Sequence, residues 1–224
     1  TKPRSPAQYP FQILHADLAQ YGGVQFLIVI DQFSGWPTVR RLGRDAPTSK
    51  IIEEFMKISE QFGLPETIFS DGGPQFTSKE FEDFVKILKI DHDTSSPHYP
   101  QSNGIAENGV KAMKRLLHCT FGPKAGTVNP EWMKSMLLYR NTPWGPSKLS
   151  PAEVLFGRVL RDGIVASKDQ YIPKHKAAVE KGIFELRRYK DNLIAMDLRP
   201  GKSFMTGEPV VVQDHVTKRW TIKA

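Results

Sequence analysis

The region from Phe11 to Leu42 constrains the fold most, because three short apolar segments there are separated only by turn residues. The segments read FQILHADL, VQFLIVID and WPTVRRL, and the residues between them are YGG and QFSG. Short apolar segments joined by glycine-containing turns are typical of neighbouring antiparallel strands. We therefore expect the chain to begin with an antiparallel meander of three strands.

Helices and strands alternate after this meander. Thr48 or Ser49 can cap a helix through KIIEEFMKISEQF that ends before Gly63, and ETIFS then supplies a short strand that ends at Asp71. Thr77 and Glu80 have the spacing of a capping box at the start of SKEFEDFVKILK. The order of elements predicts an α/β domain.

Later segments predict more helices and then a change of composition. SNGIAENGVKAMKR has helical periodicity, and a Ser150 cap with Pro151 and Glu153 begins another, short helix. Residues 158–200 are rich in basic residues and contain an amphipathic stretch at about 173–196, so they predict a partly helical linker. The strand, turn and strand pattern at the end of the chain predicts part of a further small domain.

The composition favours a polyanionic partner. The chain has 31 Lys and Arg against 24 Asp and Glu, a net charge of +7. Its single cysteine excludes an internal disulfide, and its longest apolar run, FLIVI, is far too short to cross a bilayer. The opening TKPRSPAQYP has neither an initiator Met nor a signal sequence, so we expect a segment of a longer protein.

Three carboxylates stand at positions that suggest a metal site. Asp17 lies in an apolar strand, Asp71 follows a strand, and Glu107 begins a helix. Each also has an ordinary explanation: Asp17 as an edge residue, Asp71 as a turn residue, and Glu107 as the i,i+4 partner of Lys111 on a solvated face. Asp17 fits its ordinary explanation least, because Asp is depleted in strands and a buried carboxylate needs a partner. Clustered carboxylates suit phosphoryl transfer, in which two magnesium ions need oxygen ligands.

The spacing of these acids and the sequences around them resemble a known family. There are 53 residues between Asp17 and Asp71, and 35 between Asp71 and Glu107. This pattern resembles the D,D(35)E signature of retroviral and LTR-retrotransposon integrases, and it is most similar to that of gypsy-type elements. The resemblance extends to three longer segments: LIVIDQFSGWP, SDGGPQFTSKEF and SSPHYPQSNGIAENGVKAMKRLL.

The resemblance implies an α/β fold with an RNase H-like core. That core is a mixed five-stranded sheet flanked by helices, and it would occupy residues 11–157 after an N-terminal linker at 1–10. The basic, partly helical linker at 158–200 would lead to the start of a truncated small β-barrel at 201–224.

The resemblance also implies a function: metal-dependent 3′-end processing and strand transfer of element cDNA into target DNA. Asp17, Asp71 and Glu107 would bind two Mg²⁺ or Mn²⁺ ions. Five residues would contact DNA, namely Tyr99, Gln101, Asn103, Lys111 and Lys114. The implied partners are double-stranded DNA, both element ends and target, and further copies of the chain, with no membrane; the site of action would be the nucleus, reached through the cytoplasm.

Two other functions stay open at this level. A domesticated, integrase-derived DNA-binding or scaffold protein would keep the fold without integrating DNA. An RNase H-like nuclease that only hydrolyses would cleave DNA without joining strands. The three acids favour the integrase over the domesticated protein, and the family segments around Asp71 and Glu107 favour it over the nuclease.

Overall fold

The computed structural model describes eight stretches of the chain: residues 6–94, 104–120, 130–145, 148–164, 167–174, 176–197, 210–213 and 220–223.

A mixed five-stranded sheet forms the centre of the fold. Three strands make an antiparallel meander: β1 (Ile13–Tyr21), β2 (Val24–Asp31) and β3 (Pro37–Gly43). Two short strands, β4 (Thr67–Ser70) and β5 (Asp91–Thr94), continue the sheet in parallel with β1, giving the order β3-β2-β1-β4-β5. The expected meander and the mixed five-stranded sheet are both confirmed.

Helices cover both faces of this sheet. On one face lie α1 (Thr48–Phe62) and α2 (Lys79–Ile87), and on the other lie α3 (Gly104–Thr120) and α4 (Pro130–Asn141). Alternate residues of β2 enter the two cores: Leu27 packs towards α1, and Ile28 packs towards α3. A strand that is buried on both faces needs apolar side chains in both directions, which explains the unbroken FLIVI run.

Glycine lets α3 approach the sheet closely. A Cβ atom added at Gly109 would lie 3.2 Å from Cγ2 of Ile30 on β2, which is tighter than most van der Waals contacts. Met113 and Leu117, one and two turns later, are buried in the same core. The apolar side of α3 is therefore held directly against β2.

Two of the expected helix caps are wrong by one residue. Pro47 occupies the N-cap of α1 without a side-chain hydrogen bond, and the Thr48 hydroxyl instead donates to the Gln75 carbonyl. Ser78, rather than Thr77, caps α2 by accepting from the Phe81 N–H. At α2 two neighbouring hydroxyls, of Thr77 and Ser78, compete for the role, whereas at α1 a tertiary contact takes up the hydroxyl of Thr48.

The capping box of the short helix α5 (Pro151–Phe156) is confirmed. The Ser150 hydroxyl accepts from the Glu153 N–H, and the Glu153 carboxylate accepts from the Ser150 N–H. Although burial opposes its ionisation, hydrogen bonds from Lys174 and Ser150 hold the pKa of Glu153 below its usual value. The capping box therefore satisfies the Ser150 and Glu153 N–H groups at the buried start of α5.

A 3₁₀ helix (Lys168–Tyr171) and a long helix, α6 (Lys176–Asp197), form the region predicted as a partly helical linker. Leu186 of α6 is buried in a third apolar cluster with Phe33 and Leu149. The described part of the tail is an antiparallel pair, β6 (Val210–Gln213) with β7 (Trp220–Lys223). The domain boundaries and the small β-barrel stay predictions. Among the described residues, no helix combines the length and apolarity needed to cross a membrane.

Candidate active site

Asp17 lies in the middle of β1 on the face of the sheet that α3 covers. Its neighbours Ala16 and Leu18 point to the opposite face, where they join the core beneath α1. The Asp17 side chain is 27% exposed, so it reaches solvent from within a strand. This position gives the carboxylate access to a ligand while the backbone is held by its pairing with Ile28 on β2.

The sheet register brings Asp17 and Asp71 together. β1 and β4 pair in parallel through Ile13 with Thr67, Leu14 with Ile68 and His15 with Phe69. Every pair has the same offset of 54 residues, and 17 plus 54 is 71. The pairing ends at His15 with Phe69, and Asp71 follows directly after β4; the same offset, extended by two residues, would set Asp71 beside Asp17 on the same face. Neighbouring strands are about 4.8 Å apart, a separation from which two carboxylates can reach a common cation.

The turn after β4 fixes the Asp71 carboxylate. Its Oδ1 accepts a hydrogen bond of 3.1 Å from the Gly73 N–H. A Cβ atom at position 73 would lie only 3.0 Å from that same oxygen, whereas one at Gly72 would meet nothing within 4 Å. The second glycine of SDGGP is therefore the one that leaves room for the carboxylate.

A histidine supports the Asp71 backbone from the other face of the sheet. The Ser70 hydroxyl donates to the Asp71 carbonyl at 2.9 Å and lies 2.9 Å from His92 Nε2. Because the hydroxyl has one proton, this arrangement requires Nε2 to be the donor to Ser70. Burial lowers the pKa of His92, against the opposing effect of Asp93 and Glu82. The neutral Nε2–H form is thereby favoured.

Lys114 supplies a positive charge to Asp17. Its Nζ lies 2.9 Å from Asp17 Oδ2, and the lysine side chain is 44% exposed. The contact joins α3 to β1 across 97 residues of sequence. In the absence of another cation, an ammonium group therefore neutralises this carboxylate.

The other predicted site residues are described in part. Glu107 lies on α3, seven residues before Lys114 and so on the same side of the helix, but its side chain is outside the described residues. Lys111 is an exposed residue of the same helix. Tyr99, Gln101 and Asn103 lie outside the described residues. Within the described part, no three His, Cys, Asp or Glu side chains form a group that could hold a metal ion.

Comparison with known families places this geometry in context. Residues 7–100 match the family model described as the integrase core domain, and this match contains both Asp17 and Asp71. Residues 7–100 belong to the integrase core domain family. The sequence resemblance to retroviral and retrotransposon integrases is thereby confirmed.

Relatives of this integrase core occur within much longer proteins. An uncharacterized protein of Caenorhabditis elegans is 33% identical over 215 residues, which are 92% of this chain and 16% of that protein. The Pol polyprotein of a radiation murine leukemia virus is 34% identical over 143 residues, 61% of this chain and 24% of the polyprotein. The chain thus spans less than a quarter of each relative's length.

Solved structures confirm the fold of the integrase core. The simian T-cell lymphotropic virus intasome, solved in complex with PP2A regulatory subunit B56 gamma, matches with a TM-score of 0.57 and 22% identity, over 74% of this chain and 61% of that one. The catalytic core of BIV integrase matches with a TM-score of 0.53 and 19% identity, over 64% and 93%. The HTLV-2 integrase core in complex with magnesium matches with a TM-score of 0.51 and 22% identity, over 67% and 98%.

Asp31 is a further acid of the integrase core that the sequence analysis did not single out. It is fully buried at the end of β2, and its carboxylate accepts from the N–H groups of Phe11, Phe33 and Ser34 and from the Ser34 hydroxyl. Burial raises its pKa, against the opposing effect of these hydrogen bonds. An Asp that ends an apolar run before SG is a detectable signal for a turn-organising residue.

Proposed function

We propose that this chain is the catalytic core of a retrotransposon integrase, which carries out metal-dependent 3′-end processing and strand transfer of element cDNA. Asp17, Asp71 and Glu107 would hold two Mg²⁺ or Mn²⁺ ions. When bound, such ions supply an activated hydroxyl nucleophile and stabilise the leaving oxygen. Membership of the integrase core family supports this class of reaction.

The observation that carries the proposal is the shared register of Asp17 and Asp71. One carboxylate on β1 and another directly after the adjacent parallel strand β4, both open to solvent, provide hard oxygen donors of the kind that magnesium prefers. Neither residue is needed there for the core, because the apolar residues of β1 and β4 already fill it. The third donor, Glu107, would come from α3, which covers the same face.

The backbone around Asp17 and Asp71 would hold their two carboxylates in place. Antiparallel pairing with Ile28 on β2 fixes Asp17, and the Gly73 N–H orients the carboxylate of Asp71. A site built on strands keeps its donors within the small tolerance that catalysis requires, because the strand backbone cannot shift independently. The chain would therefore contribute preorganised negative charge rather than a nucleophile of its own.

DNA would lie along α3. Lys111 and Lys114 are exposed cations on this helix, and phosphate groups are their natural partners. DNA and metal binding would release Lys114 from Asp17, so that its ammonium could pair with a phosphate. Tyr99, Gln101 and Asn103, in the segment before α3, would add stacking and hydrogen-bonding contacts near the scissile phosphate.

The proposed partners are double-stranded DNA, as element end and as target, and further copies of the chain. The excess of 31 Lys and Arg over 24 Asp and Glu suits a polyanionic partner. The nucleus would be the site of action, since the target is chromosomal DNA.

A strand-transfer assay tests this proposal directly. A labelled double-stranded oligonucleotide with the element-end sequence is incubated with plasmid DNA and with Mg²⁺ or Mn²⁺, beside the Asp71→Asn variant. We expect joined products from the wild type and none from the variant, because the amide cannot supply the negative oxygen donor. Circular dichroism of both proteins controls for folding.

The alternatives predict other products. Cleaved oligonucleotide without joined strands would indicate a nuclease that only hydrolyses. DNA binding without cleavage or joining, with either metal, would refute the enzymatic function and favour a domesticated DNA-binding or scaffold protein. In that protein, the pair between Lys114 and Asp17 would be a permanent structural contact.

A further inference from the structure

A polar pocket lies at the β3 edge of the sheet. Its volume is about 230 Å³, large enough for one small anion with its water. It is lined by residues of β3 and the residue before it, of the end of α1 and of the end of α4: Trp36, Thr38, Val39, Arg40, Gln61, Phe62 and Arg140. We call it the β3 pocket.

The charged groups of the β3 pocket are separate from the candidate active site. Asp17 pairs with Ile28, which pairs with Val39, so these three side chains share the α3 face. Arg40, the next residue, points to the opposite face and contacts α1. Arg40 therefore points away from the face that would hold the scissile phosphate, and β3 lies two strands away from Asp17.

Arg140 reaches this edge from α4. Its guanidinium carbon lies 4.1 Å from the centre of the Trp36 ring, and its Nη2 donates to the Pro37 carbonyl at 2.9 Å. Stacking on one side and a backbone hydrogen bond on the other hold the guanidinium plane in one orientation. A guanidinium held in this way is preorganised for a planar or tetrahedral oxyanion.

Donors outnumber acceptors around the β3 pocket. Each guanidinium has five N–H groups, and Arg40 uses one of them to donate to Gln61 Oε1 at 3.2 Å. Three buried N–H groups, Trp36 Nε1, Arg40 Nε and Arg140 Nε, have no hydrogen-bond partner among the described residues. Buried donors that lack an acceptor are rare in native proteins and call for an explanation such as a bound ion or water.

Positive charge at the β3 pocket is only partly compensated. Among the described residues, the carboxylate that pairs with either pocket arginine is Glu54, whose Oε2 lies 3.6 Å from Arg40 Nε. Glu54 also pairs with Lys50 and Lys57 on α1. Burial, and then repulsion by Arg40, lower the pKa of Arg140 to about 10. The negative charge of a bound anion would offset the repulsion between the two arginines.

We propose that the β3 pocket is a binding site for a single phosphate group, held between Arg40 and Arg140. Guanidinium pairs bind phosphate by parallel N–H···O hydrogen bonds, and the Thr38 hydroxyl and Gln61 amide lie in the same wall to complete the contacts. The phosphate comes either from a free anion or from the backbone of a nucleic acid. The proposal does not rest on the proposed catalytic function, because it uses none of the three acids.

Phosphorus NMR with inorganic phosphate tests the site at constant ionic strength. Wild type is compared with Arg40→Gln and Arg140→Gln, and Arg41→Gln is the matched control, because Arg41 is an exposed arginine on the same strand outside the pocket. We expect saturable binding in the wild type, at least tenfold weaker binding in both pocket variants, and near wild-type binding in the control. If Arg140→Gln does not fold, it is replaced by Arg140→Lys, which keeps the positive charge but cannot donate two parallel hydrogen bonds to one anion.

Each result decides the proposal. Absence of saturable binding in the wild type would overturn it, as would an equal loss in Arg41→Gln, which would indicate a general charge effect. If binding is specific, titration with a single-stranded oligonucleotide separates the two sources. Displacement of inorganic phosphate, lost in Arg40→Gln, identifies a nucleic-acid backbone, and absence of displacement identifies a free phosphate.

Discussion

Replacement of Gly73 by Ala should impair catalysis without impairing folding. The new Cβ atom would lie 3.0 Å from Oδ1 of Asp71, where ordinary contacts begin near 3.4 Å, so the carboxylate must move by at least about 0.4 Å. The Asp71 side chain is exposed and can rotate away at little cost in stability. Its movement would also weaken the 3.1 Å hydrogen bond from the Gly73 N–H.

The expected loss of activity follows from this displacement. A misplacement of about 1 Å costs roughly 10²-fold in rate, so a shift of about 0.4 to 1 Å should reduce strand transfer by about tenfold to 10²-fold. The melting temperature should not fall, because Ala at a glycine position without positive φ reduces the entropy of the unfolded chain.

Gly72→Ala is the matched control. A Cβ atom at that position meets nothing within 4 Å, so we expect activity close to that of the wild type. The initial rate of joined product, measured for the wild type and both variants with Mg²⁺, tests the difference. Equal rates for Gly73→Ala and Gly72→Ala would refute the reasoning that Gly73 leaves room for a catalytic carboxylate.

Three further changes test other parts of the structure. Lys114→Met removes the ammonium that competes with a metal ion for Asp17. Because exposed ion pairs contribute up to about 1 kcal/mol, calorimetry without DNA should show Mn²⁺ binding that is tighter by up to about fivefold. Unchanged or weaker Mn²⁺ binding, or an equal gain in the control Arg115→Met, would contradict this. The lowered pKa of His92 means that its stabilising contribution is complete above the unfolded-state pKa of about 6.5 and is lost as the pH falls through the folded-state value. Urea unfolding between pH 8 and 5 should therefore show a steeper loss for the wild type than for His92→Gln, and parallel curves would exclude the effect. Asp31→Ala leaves three backbone N–H groups without their acceptor and should lower the free energy of unfolding by about 3 to 5 kcal/mol, and a loss below about 1 kcal/mol would contradict that role.

The sheet was predictable because its determinants are local. Gly22 and Gly23, both at positive φ, form the turn between β1 and β2, and the unbroken apolar run of β2 requires two covered faces. The capping box at Ser150 was predictable for the same reason, since its partners are three residues apart. The cap predicted for α2 was wrong because Thr77 and Ser78 offer the same chemistry, and only tertiary contacts separate them: Ser78 contacts Thr48, whereas the Thr77 hydroxyl donates to the Gly73 carbonyl.

The site could be predicted only in outline. Strand positions and the family resemblance identify Asp17 and Asp71, but no periodicity indicates that Lys114 pairs with Asp17 across 97 residues. The β3 pocket could not be predicted from the sequence either, because Arg40 and Arg140 are 100 residues apart in the chain. The role of Asp31 could not be predicted in full, because its carboxylate accepts from N–H groups of two separate segments, at Phe11 and at Phe33 to Ser34.

The constant offset between β1 and β4 has an evolutionary consequence. Asp17 and Asp71 stay neighbours as long as the pairing of Ile13 with Thr67 is kept, whatever the length of the connections between the two strands. Insertions or deletions in those connections should therefore be tolerated in related chains, whereas a one-residue deletion inside β1 between Ile13 and Asp17 would turn the acid to the opposite face. Alignments of distant relatives should consequently be anchored on the paired strands rather than on a fixed number of residues between the acids.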